Sequence, residues 1–169
     1  MYSIGIDLGG TNIAVGIVDA DYRIVKKESI PTRAKREADE ITADIAALCL
    51  KLMEEAGLSR EDVAFAGMAT PGTANSDTGV IEYANNVPFF MYPMCEKLSA
   101  LLDGTKVYIE NDANAAASPS VTLAAAYTVG ADLLGRDVLL IASGAIVLIM
   151  GRVLICLSAA QGFGAFINY

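Results

Sequence analysis

The fold is decided by a stretch close to the start of the chain, where residues 4–18 read IGIDLGGTNIAVGIV. The apolar run Ile4–Leu8 and the β-branched run Thr11–Val18 flank Gly9 and Gly10, a pattern typical of two antiparallel strands joined by a tight turn. Glycines in such a turn let backbone N–H groups surround a phosphate, because no Cβ atom blocks the approach. An ordinary hairpin has the same spacing, so both interpretations stay open at this point.

Strand and helix patterns alternate along the rest of the chain. Strand patterns cover residues 23–31, 63–70, 106–110, 138–142, 145–149 and 153–157. Helical patterns cover residues 37–57, residues 91–102 and an alanine-rich stretch from Ala113 onward. Residues 73–88 are rich in Gly, Asn, Asp and Pro and are predicted to be a loop. This order predicts an α/β fold.

The composition excludes several classes of function. The 169 residues contain 20 acidic and 12 basic side chains, giving a net charge of −8, which argues against nucleic-acid and anionic-membrane partners. There are 0 histidines, so imidazole metal ligands and histidine bases are excluded. Cys49, Cys95 and Cys156 are too widely spaced to predict a zinc site. Such a small, odd number of cysteines is typical of proteins in a reducing cytoplasm.

Charge is nearly absent from the last part of the chain. Between residues 119 and 169 the charged side chains are limited to Asp132, Arg136, Asp137 and Arg152, and the mean hydropathy of the whole chain is +0.44. The uncharged stretch 138–151 is shorter than the roughly 18–20 residues that span a bilayer. Buried strands or a core helix are therefore predicted here rather than a membrane segment.

Two carboxylates follow predicted strands and are placed for phosphoryl chemistry. Asp7 ends the first strand, where it could hold a hydrated Mg²⁺ beside the turn, while Thr11 and Asn12 add neutral hydrogen-bonding groups. Asp112 follows Glu110-Asn111 and could accept a proton from a substrate hydroxyl. An N-cap of the alanine-rich helix is the other interpretation of Asp112.

Amide side chains and turn residues occur together in a third segment. Thr70-Pro71-Gly72 and Asn85-Asn86 offer paired donors and acceptors without charge, which suits a polyhydroxyl ligand. The same residue types are common in turns, so a structural role alone is also consistent with them.

These segments, in this order, resemble the ROK family of sugar kinases, and its glucokinase-like members most closely. GIDLGGTNIAVGIVD at 5–19 resembles the family's phosphate-binding hairpin. GMATPGTANSDTGVIEYANNVPF at 67–89 resembles its sugar loop, and VYIENDANAAA at 107–117 resembles its catalytic motif. The resemblance covers residues 1 to about 117.

The resemblance implies an actin-like, ribonuclease-H-like ATPase fold of two α/β lobes, with ATP and sugar between them. Residues 1–131 would be the N-terminal lobe, and residues 132–169 the incomplete start of the second. The implied activity is transfer of the γ-phosphoryl group of ATP to the 6-hydroxyl of glucose, with ATP and Mg²⁺ as cofactors. We also expect a cytoplasmic protein with a hexose substrate, no nucleic-acid or membrane partner, and a possible homodimer.

The resemblance also implies roles for individual residues. Asp112 would be the catalytic base, and the sugar would contact Gly72, Asn86, Asn111 and Asp112. ATP–Mg²⁺ would be held by Asp7, Gly9, Gly10, Thr11 and Asn12, with Asp7 reaching the metal through water.

Beyond Ala117 the sequence departs from the family pattern. The family's second glycine-rich loop corresponds to Ile141–Val147, where Gly144 stands alone, and the later stretch 159–165 lacks the family's Glu and zinc-binding His. No zinc is therefore predicted. These departures leave an alternative function, a non-catalytic truncated kinase lobe that binds sugar weakly at most.

Overall fold

The structure, a computed structural model, describes residues 1–21 and 23–112 and the backbone of four later strands. The helices are α1 (Ala38–Glu55) and α2 (Met94–Leu101), with a short 3-10 helix at Arg60–Asp62. The strands are β1 (Tyr2–Leu8), β2 (Asn12–Val18), β3 (Ile24–Pro31), β4 (Val63–Thr70), β5 (Thr73–Asn75), β6 (Val80–Tyr83), β7 (Phe90–Tyr92), β8 (Val107–Asn111), β9 (Val138–Ile141), β10 (Ala145–Met150), β11 (Val153–Ser158) and β12 (Gly164–Asn168).

A five-stranded mixed sheet in the order β3-β2-β1-β4-β8 forms the centre of the fold. β1, β2 and β3 pair antiparallel in sequence order, as the glycine turn predicts. β4 lies parallel to β1, and β8 lies parallel to β4. The predicted α/β class is therefore confirmed, and the parallel strands direct their carboxyl ends to one edge.

The two helices cover one face of this sheet. α1 contacts β2 and β3, α2 contacts β8, and the helices contact each other. α1 starts with a capping interaction, in which the Glu40 side chain accepts the Glu37 N–H at 3.1 Å. Its apolar stripe, which includes Ile41, Ile45 and Leu52, is fully or almost fully buried. The predicted helix at 37–57 is confirmed.

The loop prediction for residues 73–88 is wrong for Thr73–Asn75 and Val80–Tyr83, because β5 and β6 form a small antiparallel sheet together with β7. Asn75 closes its first turn: the carbonyl accepts the Gly79 N–H at 2.9 Å and the side-chain oxygen accepts the Thr78 N–H at 3.1 Å. Strands this short carry no readable alternation, so the turn residues dominate the sequence pattern. α2 begins at Met94 rather than Met91, since Met91 has a φ of 46°, which is incompatible with a helix.

The strand patterns of the uncharged region are also confirmed. β9, β10, β11 and β12 form a four-stranded antiparallel sheet, and β12 was not predicted. The expected lobe boundary at 131/132 and the predicted helix from Ala113 lie outside the described residues. Within the part that the structure describes, no helix is long and apolar enough to cross a membrane.

Candidate functional site

The carboxyl ends of β1, β4 and β8 meet at one edge of the five-stranded sheet, which we call the carboxyl edge. Asp7 is in register with Ala69, and Ala69 with Glu110. One step further along, Thr70 is paired with Asn111. The segments that continue from these strands therefore start side by side, at the position where open α/β sheets usually bind ligands.

Gly72 is held between the carboxyl end of β8 and the strand β6. Its φ of +85° is a conformation that residues with a Cβ rarely adopt. The Asn111 side-chain amide donates to the Gly72 carbonyl at 2.6 Å. A Cβ at position 72 would lie 2.1 Å from the Tyr83 carbonyl oxygen. The segments 67–89 and 107–117 are thus in direct contact, and only glycine fits the contact.

The turn of the β1–β2 hairpin contacts the segment 67–89 as well. The turn is closed by a hydrogen bond of 2.9 Å from the Gly9 N–H to the Asn12 carbonyl. A Cβ at Gly10 would lie 3.0 Å from the Cβ of Asn86, so the chain approaches Asn86 closely at this point. The neighbouring Asn85 side chain accepts the Tyr83 hydroxyl at 2.6 Å.

Two carboxylates lie on the same face of the sheet at the carboxyl edge. Residues in register on neighbouring strands share a face, so Asp7 and Glu110 lie on either side of the small Ala69. The Glu110 side chain accepts the Asn111 N–H at 3.0 Å. No group of three metal-ligating side chains occurs among the described residues. A single carboxylate such as Asp7 suits a Mg²⁺ ion that keeps its waters and binds phosphates at the same time.

The remaining predicted site residues are exposed at the same edge. Thr11 and Asn12 lie on the hairpin turn, and both are exposed. Asp112 directly follows β8 and is exposed. Asp112 lies next to Asn111, and this position is compatible with both interpretations, a base and a helix-capping residue.

Sequence reasoning missed Thr32, which holds the hairpin turn from behind. Thr32 follows the last residue of β3 and is completely buried, with a relative exposure of 0%. Its hydroxyl donates to the Gly9 carbonyl at 2.7 Å, and its N–H donates to the Thr11 carbonyl at 2.8 Å. A polar residue next to a strand end is a weak signal for such a contact. The two partners are 23 positions apart, so no local pattern connects them.

The model of the ROK family matches residues 3–133 of this chain. The chain belongs to the ROK family. Glucokinase from Thermotoga maritima is 33% identical over 113 residues, covering 66% of this chain and 34% of that protein. N-acetyl-D-glucosamine kinase from Citrobacter koseri is 37% identical over 111 residues, covering 65% of this chain and 34% of that protein. The chain spans about a third of the length of these curated ROK relatives.

The fold of this chain is similar to that of a solved ROK structure. A ROK family glucokinase from Streptomyces griseus, crystallised with glucose and AMPPNP, matches with a TM-score of 0.62 and 26% identity. The match covers 99% of this chain and 49% of that chain. This similarity confirms the actin-like fold that the sequence resemblance implies.

Proposed function

We propose that this chain takes part in the ATP-dependent phosphorylation of a hexose, with glucose as the substrate. One observation carries the proposal: the three segments that resemble ROK kinases meet at the carboxyl edge, through the Gly10–Asn86 and Gly72–Asn111 contacts. Residues 1–131 then act as the N-terminal lobe of a kinase, and residues 132–169 as the start of the second lobe.

The sugar binds where β4 and β8 end. Asn111, Gly72 and Asn86 supply amide and backbone groups that hydrogen-bond its hydroxyls without introducing charge. Asp112 accepts the proton of the 6-hydroxyl as that oxygen forms a bond to the γ-phosphorus of ATP. The bond from the γ-phosphorus to the β–γ bridging oxygen breaks, and ADP leaves with the electron pair.

The nucleotide phosphates bind at the β1–β2 turn. Gly9 and Gly10 let the backbone of the turn approach the phosphates, and Thr11 and Asn12 add uncharged side-chain donors. Asp7 would hold a hydrated Mg²⁺, and the ion would supply positive charge that neutralises the phosphates. The binding of glucose and AMPPNP by the Streptomyces griseus structure supports this pair of ligands.

Two alternatives are motivated by particular observations. The N-acetyl-D-glucosamine kinase relative supports an N-acetylhexosamine in place of glucose. The departure of Ile141–Val147 from the family's second glycine-rich loop supports a non-catalytic lobe that binds sugar weakly. The neutral amides of the carboxyl edge would bind either sugar.

The low number of cysteines supports a cytoplasmic location.

A coupled assay of ADP formation, run with Mg-ATP and either glucose or N-acetylglucosamine, tests the proposal. We expect ADP formation that depends on glucose and falls by at least about a hundredfold in Asp112→Asn, which keeps the shape of the side chain but not its basicity. Calorimetry of glucose binding is the control, because Asp112→Asn should still bind sugar. Glucose binding without turnover in the wild-type protein would support the non-catalytic alternative instead.

A further inference from the structure

The buried Thr32 side chain contacts the turn on which the proposed function places the nucleotide phosphates. We propose that Thr32 is a positioning residue for nucleotide binding, which orients the backbone N–H groups of the turn without touching the ligand. This inference rests on the proposed function and adds to it a residue that no part of the ROK resemblance assigned.

Every polar group of Thr32 is used in this arrangement. Its hydroxyl and its N–H donate to the carbonyls of Gly9 and Thr11, at 2.7 and 2.8 Å. Its own carbonyl accepts a hydrogen bond from the Arg36 guanidinium at 3.1 Å. Because Thr32 is fully buried, its own polar groups have no access to water and depend on these bonds. The turn is therefore fixed to the segment that follows β3.

The geometry of the peptide bond converts these contacts into an orientation of N–H groups. In a planar trans peptide the C=O and N–H groups point in opposite directions. The Gly9 carbonyl shares a peptide unit with the Gly10 N–H, and the Thr11 carbonyl shares one with the Asn12 N–H. Holding both carbonyls towards Thr32 therefore turns both N–H groups towards the other side of the turn. None of the turn, loop and cap hydrogen bonds among the described residues uses the Gly10 N–H.

The same contacts connect the turn to helix α1. The Arg36 guanidinium that binds the Thr32 carbonyl also bonds to Asp44 of α1 at 2.6 Å. The side chains of this ion pair are 24% and 39% exposed, so solvent screens the pair only in part. The turn is thus supported by a continuous series of contacts from α1 through Asp44, Arg36 and Thr32.

The chain offers a matched control for Thr32. Thr105 is also buried, at 1% exposure, and its hydroxyl also donates to a backbone carbonyl, that of Leu102, at 2.7 Å. Thr105 precedes β8, so it lies at the end of that strand opposite the carboxyl edge. Thr→Val at either position keeps the shape and removes the hydroxyl. The Gly9 carbonyl then loses the Thr32 hydroxyl, whereas the Leu102 carbonyl keeps the Thr105 N–H at 2.9 Å.

The experiment measures the affinity for Mg-AMPPNP, the affinity for glucose and the unfolding temperature of the full chain. We expect Thr32→Val to weaken Mg-AMPPNP binding about tenfold, the effect of losing one buried hydrogen bond, and to leave glucose affinity within about twofold. Thr32→Ser, which keeps the hydroxyl, should recover most of the nucleotide affinity. Thr105→Val should lower the unfolding temperature by less than Thr32→Val, because the Leu102 carbonyl keeps the Thr105 N–H, and should leave nucleotide affinity unchanged.

Three results would overturn the inference: no change of nucleotide affinity in Thr32→Val, an equal loss of glucose affinity, or an equal nucleotide effect in Thr105→Val. If the wild-type protein binds no Mg-AMPPNP, the proposed function fails and the inference fails with it. If Thr32→Val does not fold, Arg36→Gln decides the question. A specific loss of nucleotide affinity in Arg36→Gln supports the inference, and an unchanged affinity overturns it.

Discussion

The carboxyl edge and the helix-covered face of the same sheet are built in different ways. The face is a continuous apolar layer, in which Ile41, Ile45 and Leu52 of α1 are buried against the strands. The edge consists of single polar contacts between distant segments, such as Thr32 with Gly9 and Asn111 with Gly72. Stability therefore resides mainly in the face, and we propose the edge as the ligand site, so substitutions in the two regions should have separable effects.

The largest effect on stability is expected from the helix-covered face. Ile45→Ala removes a fully buried side chain, so we expect the free energy of unfolding to fall by about 4 kcal/mol. Denaturant titration measures this change. At a temperature where the variant stays folded, its affinities for glucose and Mg-AMPPNP should match those of the wild-type protein. A selective loss of either affinity would contradict the separation of the two regions.

Gly72→Ala should destabilise the protein and also remove sugar binding. The added Cβ would lie 2.1 Å from the Tyr83 carbonyl oxygen, so we expect a loss of about 3 kcal/mol. Gly57→Ala is the control, because Gly57 also has a positive φ, +68°, but nothing lies within 4 Å of its Cβ position. It should cost only about 1 kcal/mol and leave sugar binding intact. Equal costs at the two glycines would show that the Gly72 contact is unimportant.

Asn111→Ala should have a modest effect on stability and a larger one on sugar affinity. The variant loses the 2.6 Å bond to the Gly72 carbonyl, which contributes about 1 kcal/mol to folding. Calorimetry should show glucose binding weakened about tenfold, through the lost amide and the displaced Gly72 segment. Ser59→Ala is the comparison, because it removes a hydroxyl that bonds to Asp62 at 2.8 Å, before the start of β4. Weakened glucose binding in Ser59→Ala would contradict the assignment.

The smallest effect is expected at the surface contact between the two helices. Hydrogen bonds from Lys97 and Tyr92 lower the pKa of Asp39 below its ordinary value of 3.8. The pKa of Asp39 is lower in the folded state than in the unfolded state. The ionised side chain therefore stabilises the fold fully above its ordinary pKa, and this stabilisation is lost as the pH falls through the folded-state pKa. The difference in urea midpoint between the wild-type protein and Asp39→Asn should therefore shrink below pH 3.8. A difference that stays constant down to pH 2 would contradict this explanation.

The two regions also differ in how well the sequence predicted them. β1, β2, β4 and α1 follow from local periodicity, because each buries one face or both faces of a single element. The small sheet of β5, β6 and β7 did not, since its strands are too short to show alternation and its turn residues are typical of loops. Local patterns are therefore enough to predict the helix-covered face.

Contacts at the carboxyl edge are much less visible in the sequence. The proximity of the three motifs was expected from the ROK resemblance, which supplied roles that spacing alone left open at Asp112 and Gly10. The bond from Thr32 to Gly9 spans 23 positions and depends on the pairing of β2 with β3. Such a contact can be inferred only once the pairing of the strands is known.

Amide hydrogen exchange with and without glucose and Mg-AMPPNP tests most directly whether the carboxyl edge is the ligand site. We expect ligands to slow exchange at residues 9–12, 70–72 and 85–87, and to leave the interior of α1 unchanged. Mg-AMPPNP alone should act mainly on residues 9–12, and glucose alone on the other two segments. Ligand-dependent protection that is absent from these segments, or confined to α1, would contradict the assignment of the site.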